Sequence, residues 1–196
     1  MAVQRKPSDQ PKDREPGSPR VWTYADYLHI PADGYRYEVV WGELIVMPPS
    51  PTSGHQRIIL NLASKLHQHV LEQDQGDVYI APLDVVLSEH NVLQPDILYI
   101  AKERLDILTE ANVTGSPDLV IEVLSPGTAA LDRGRRMDAF AAAGVPHYWL
   151  VNQRLRTIEA YELSGERYEM VSRLTETDTF EPALFPSLSL PLASLW

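Results

Sequence analysis

The sequence predicts a mixed α/β fold, a sheet flanked by helices with a hairpin near each end. Three observations predict it. LVIEVL at 119–124 is an almost continuous apolar run, as expected of a central strand covered on both faces. Residues 53–72 and 129–143 repeat apolar side chains at helical spacing. Residues 35–47 and 156–174 alternate around glycine-containing turns, the pattern of hairpins.

The elements follow in order. Residues 1–20 are rich in Pro, Gly, Ser and charge and cannot bury enough apolar surface to order themselves, so they read as a flexible tail. This leaves 21–196 as the folded domain. Thr23 opens a short helix over 24–30 that stops at Pro31. YRYEVVWGELIVM reads as a hairpin turning near Trp41-Gly42, and PPSPTSG as a loop. Ser53-x-x-Gln56 has a capping-box pattern and opens a helix to about Glu72, with Ile59, Leu62, Leu66 and Val70 along its apolar stripe. Residues 78–87 and 95–100 read as strands. Thr128 is the expected cap of one helix over 129–143, closed by Gly144 with Pro146 beyond. Residues 147–152 form a strand beside 119–124, reached by a right-handed crossover. The terminal hairpin pairs 156–163 with 167–174 and turns at Ser164-Gly165.

Composition narrows the function. The formal net charge is −10 over 196 residues. Residues 1–20 carry five basic and three acidic side chains, which leaves 12 basic against 24 acidic in the rest. An acidic body argues against tight non-specific binding to a phosphate backbone, which depends on Lys and Arg. It does not exclude a nucleic-acid enzyme whose carboxylates bind a metal, because the ion inverts the local field. No run reaches the roughly 18 apolar residues of a membrane span, and the first 20 residues have no apolar secretory core, so a cytoplasmic protein is expected. There is no cysteine, hence no disulfide, thiolate zinc site or cysteine nucleophile.

Three acids interrupt apolar strands: Asp84 in APLDVVL, Asp96 in QPDILYI and Glu122 in LVIEVL. An ionised carboxylate placed there costs several kcal/mol unless it is paired or bound to metal. Adjacent strands lie about 4.8 Å apart, so acids at matching levels can share one ion. Oxygen ligands select hard cations such as magnesium, manganese or calcium. Asp84 alone reads more readily as a structural acid with its own partner. Asp96 and Glu122 together read as a metal pair.

PDILYI, PDLVIEVLSPGT and DRGRRMDAFAAAGVPHYWLVN resemble the bacterial Uma2 family, as do YEVVWGELIVMPPSPTSGHQRIILNLASKL and the closing LFPSLSLPLASLW. The resemblance covers about residues 22–196. It implies a restriction-endonuclease-like, PD-(D/E)XK fold: a mixed β-sheet flanked by helices. It implies that Asp96 and Glu122 hold Mg²⁺ (or Mn²⁺) and that the reaction is phosphodiester hydrolysis of nucleic acid, with DNA the expected substrate. The motif lysine would stand two residues past the acid, where this chain has Leu124; the family carries it on the next helix, at the position of Arg136. Arg136 keeps the charge and can bind phosphate, but it cannot donate a proton near neutrality. The resemblance therefore implies Asp96, Glu122 and Arg136 as the catalytic set. The alternative is a catalytically weakened binding or assembly module of the same fold. Phe140 and Asn152 also depart from the family's Tyr and Asp.

Several other residues are candidates. Arg133, Arg136, Phe140 and Ala143 recur at helical spacing, so both arginines can share one face. Lys65 and Lys102 are the only lysines beyond the tail; both read as surface residues, with Lys102 close enough to the Asp96 strand to consider. His55 lies on the stripe of its helix, either aimed at the acids or buried as a structural histidine. Glu38 and Glu43 flank the first hairpin turn, and either can supply a further acid. His67 and His69 diverge on their helix, and Tyr148 and Trp149 read as packing groups. A homodimer is plausible by fold analogy alone.

Overall fold

A computed structural model describes residues 20–47 and 52–196. The expected tail lies outside the described residues except for Arg20, and most of the PPSPTSG loop, residues 48–51, lies outside them as well. The chain runs α1 (Tyr24–Tyr27), β1 (Arg36–Val40), β2 (Glu43–Met47), α2 (Ser53–Glu72), β3 (Gly76–Ile80), β4 (Asp84–Ser88), β5 (Asn91–Leu93) and β6 (Ile97–Ala101). After a 3-10 turn come β7 (Asn112–Thr114), β8 (Leu119–Leu124), α3 (Ala129–Asp132), α4 (Arg135–Ala142) and β9 (His147–Asn152). The remaining strands are β10 (Thr157–Ser164), β11 (Arg167–Thr175), β12 (Thr179–Phe180) and β13 (Leu190–Pro191).

Two sheets are stacked. The larger has the order β11-β10-β9-β8-β6-β3, with β8 and β9 parallel and every other neighbour antiparallel. The smaller has the order β2-β1-β5-β4-β7. Alternation along the central strands feeds two cores. Ile97, Tyr99, Leu119, Ile121, Val123, Trp149 and Val151 face α2 and the C-terminal segment, whose Phe185, Leu190, Leu192 and Leu195 complete that layer. Leu98, Val120, Tyr148 and Leu150 face the other way, towards α4 and the smaller sheet. Glu122 belongs to the second set by parity, so it points at β1 and α4.

The first hairpin forms as expected. Val40 pairs with Glu43, leaving a two-residue turn in which Trp41 and Gly42 have φ of 55° and 73°. Two successive left-handed residues match the twist of the strands they join. Thr23 and Asp26 form a complete capping box on α1, which ends earlier than expected, at Tyr27. The predicted stripe of α2 is buried in full, and Ile58 joins it. Gly144, with φ of 82°, follows the end of α4 as expected. Tyr148 and Trp149 are packed in the interior.

Four expectations need correction. Residues 78–87 are not one strand. Pro82 has no N–H to continue a ladder, and the chain leaves the larger sheet after Ile80 and enters the smaller one at Asp84. The cap of α2 is Thr52, not Ser53: its side chain accepts the His55 N–H at 3.3 Å. Residues 129–143 form two helices broken at Arg133-Gly134, and the Thr128 side chain bonds Ser125 Oγ at 3.0 Å rather than capping its helix. Ser164 pairs with Arg167, so the last hairpin turns through Gly165-Glu166. Its outer strand, β11, is an edge strand whose register shifts between Ala160 and Tyr161 of β10.

Candidate functional site

The site lies where β6 and β8 run side by side beneath β1 and α4. Asp96 is the residue just before β6, whose Ile97 pairs with Ile121, and Glu122 follows Ile121 on β8. Asp96 precedes the strand proper and is anchored there. Its Oδ2 accepts the Val123 backbone N–H at 2.8 Å and lies 3.1 Å from His55 Nε2. A carboxylate only accepts, so Nε2 carries the hydrogen. His55 Nδ1 is buried without a partner. Burial opposes the charged imidazole, but the Asp96 hydrogen bond and charge outweigh it and raise the His55 pKa.

Glu122 is 2% exposed and sits in an acid cluster built around Arg136. Arg136 Nη2 lies 2.7 Å from Glu122 Oε1 and 3.1 Å from Glu38 Oε1, and Nη1 lies 2.9 Å from Asp132 Oδ1. The close approach to Glu122 is an attraction of charges rather than an aligned hydrogen bond, for Glu122 Oε1 receives no well-directed N–H. Glu38 Oε1 accepts the Gln94 N–H at 2.9 Å, while its Oε2 is buried with no donor. Burial pushes Glu122 well above the ordinary carboxyl range, against the pull of Arg136, and neighbouring Asp132 adds to the rise. Burial raises Glu38 and Asp132 as well, again opposed by Arg136. Burial works against the Arg136 charge, yet its three acids hold the guanidinium pKa well above its ordinary value.

Asp96, Glu122, Arg136 and His55 all line a cavity of about 300 Å³, closed by Arg36, Met47, Thr52 and the Ser125–Thr128 loop. The other candidates lie elsewhere. Asp84 is in the smaller sheet, accepting from Tyr27 Oη at 2.8 Å and Gln94 Nε2 at 2.7 Å. Glu43 pairs with Arg135 at the surface, 2.5 Å away, so Glu38 is the hairpin acid that reaches the site. Lys102 is exposed and paired with Asp74. The break at Gly134 separates the two arginines: Arg133 turns to Glu159 at 2.5 Å, and only Arg136 enters the cluster. Sequence reasoning missed Asp132, Arg36 and Gln94. Asp132 stands four residues before Arg136, a spacing that brings opposite charges together on a helix, and was the one signal available.

This stacked mixed sheet, flanked by helices, has a nuclease-like fold. It superposes on the crystal structure of a "putative nuclease belonging to DUF820" from Anabaena variabilis with a TM-score of 0.72 and 21% identity, over 88% of this chain and 96% of that one. Residues 24–193 match the profile of the Uma2 family, described as "putative restriction endonuclease", and the chain belongs to that family. An uncharacterized protein of Synechocystis sp., sll1609, is 23% identical over 158 residues, which is 79% of this chain and 88% of that protein. Among the described residues no helix is long and apolar enough to cross a membrane.

Proposed function

We propose that the protein is a metal-dependent endonuclease that hydrolyses phosphodiester bonds of DNA, with Mg²⁺ or Mn²⁺ held by Asp96 and Glu122. The observation that carries this reading is that both carboxylates line one cavity. The residues fit such an ion. Glu38, Glu122 and Asp132 surround Arg136, Asp96 contacts His55, and Oε2 of Glu38 is buried with no donor. A dication relieves that excess of negative charge. Among the described residues no three His, Cys, Asp or Glu side chains converge as a ligand set. Two carboxylates suit magnesium, which keeps several waters and typically takes one or two protein carboxylates.

The bound ion would supply Lewis-acid stabilisation to the phosphate and lower the pKa of water. The chain's own residues set the stage. The Val123 N–H and His55 fix Oδ2 of Asp96, so that side chain keeps one orientation. Arg136 favours the ionised form of Glu122 against the effect of burial. The loop from Ser125 to Thr128 lines the same cavity.

Calorimetric Mn²⁺ titration and plasmid cleavage in Mg²⁺ test the reading. The wild type is expected to bind the ion and cut, and Glu122→Ala to lose both. Unchanged ion binding in Glu122→Ala refutes the site. One observation favours a second reading, a binding module with weakened chemistry: the Arg136 guanidinium is turned onto carboxylates. Gain of cleavage in Arg136→Lys supports that reading, and loss supports an arginine-adapted enzyme.

A further inference from the structure

We infer that Arg36, rather than Arg136, is the arginine that receives the substrate phosphate. This rests on the nuclease reading above. Arg136 is poorly placed for an anion. It is 2% exposed, and Glu38, Glu122 and Asp132 surround it, so a phosphate approaching it meets three carboxylates for one guanidinium. Arg36, the first residue of β1, is the other basic side chain on the cavity wall apart from the histidine.

The Arg36 guanidinium is held from one side. Its Nε donates to Gln94 Oε1 at 3.0 Å and its Nη2 to the Gln94 carbonyl at 3.2 Å. Among the described residues, Nη1 makes no hydrogen bond or ion pair, so the corner of the fork opposite Gln94 keeps its donors. Gln94 is itself fixed. Its Nε2 donates to Asp84 Oδ1 at 2.7 Å and to Tyr27 Oη at 3.2 Å, and Tyr27 Oη donates to the same Asp84 oxygen at 2.8 Å. With Nε2 committed to Asp84, the amide oxygen is left for Arg36. Asp84, Gln94 and Arg36 form a relay from the smaller sheet to the cavity, and this relay accounts for an acid in the strand of Asp84. A guanidinium held at Nε and Nη2 loses little further freedom when its remaining donors meet phosphate. The residue is a substrate-binding group, and Gln94 and Asp84 are positioning residues.

The test is binding of a short labelled DNA duplex across a salt series, with Ca²⁺ in place of Mg²⁺ so that binding is read apart from cleavage. Mn²⁺ titration of the same samples runs alongside. Arg36→Ala should weaken binding about tenfold or more, the effect of losing a hydrogen bond to a charged group. The slope of log K against log salt should become shallower by about 0.9, the value of one phosphate contact. Mn²⁺ binding should not change. Arg36→Lys keeps the slope and loses part of the affinity, since it retains the charge without the fork. Gln94→Leu weakens binding without changing the slope. If the wild type binds and Arg36→Ala matches it in affinity and slope, the Arg36 assignment fails alone. If Arg36→Ala loses Mn²⁺ binding as well, the residue acts through the ion site and the assignment also fails. If the wild type takes up Mn²⁺ but no DNA, the nuclease reading falls and takes this assignment with it.

Discussion

Replacing Arg136 with methionine removes the one cation among three buried acids. Glu38 and Glu122 are 0% and 2% exposed, and all three acids lie within 3.1 Å of the guanidinium. Deleting one partner of a buried ion pair costs about 3–5 kcal/mol, because the remaining charge is stranded. For a chain of this size each kcal/mol lowers Tm by about 2–4 °C, so the variant should melt about 6–20 °C lower near neutral pH. The loss should depend on pH, with a defined sign. Burial already raises the Glu122 and Glu38 pKa values, and Arg136 is the main force holding them down. Without it both rise further, and the folded variant binds more protons than its unfolded chain. Stability then falls as pH rises between the ordinary carboxyl pKa and the raised one. Urea denaturation in chelator at about pH 5 and about pH 8 should therefore show a small gap from wild type at the lower pH and a large one at the higher. A gap below about 1 kcal/mol at both values, or one that does not change with pH, refutes the argument that Arg136 neutralises this cluster.

Three further outcomes follow from the fold. Leu66→Ala, at a fully buried position of α2, should cost about 2–5 kcal/mol in urea denaturation, the range for truncating a core leucine. Gly76→Ala should cost more than about 1 kcal/mol, because φ is +136° and the new Cβ would lie 2.1 Å from the Ile100 carbonyl oxygen; a neutral result would contradict the register of β3 against β6. Burial opposes the charge of Glu159, but hydrogen bonds from Arg133 and Tyr161 lower its pKa below 4.5. Its contribution is therefore complete above that value and is lost as pH falls through the lower, folded pKa, so Glu159→Gln should flatten the acid limb of the stability profile.

The site was partly legible because acids are conspicuous where apolar residues are the rule. Asp96 and Glu122 stand out in QPDILYI and LVIEVL, and both line one cavity. Asp132 did not stand out, since an acid on an amphipathic helix reads as solvated. Arg36 and Gln94 were hidden for another reason: Gln94 acts in part through its backbone carbonyl, which no side-chain pattern reports. In the fold, 119–124 was legible because a central strand is apolar on both faces. The break between β3 and β4 was not, because apolar residues on both sides of Pro82 extend one apparent run across two sheets. The strand β5 has three residues, too few to show any period. The single glycine at 134 divides a helix whose apolar spacing continues through it.

The outer rim of the larger sheet has a consequence for how molecules of this protein meet. β11 offers nine residues of backbone along that rim, with Met170 and Val171 outward and exposed. Such a strip invites a stray chain to zip on laterally. The offset beside Tyr161 skews it, and Arg167, Glu169 and Arg173 punctuate it with charge. A newcomer along this rim finds a skewed, charge-marked row of amides, which disfavours lateral pairing there.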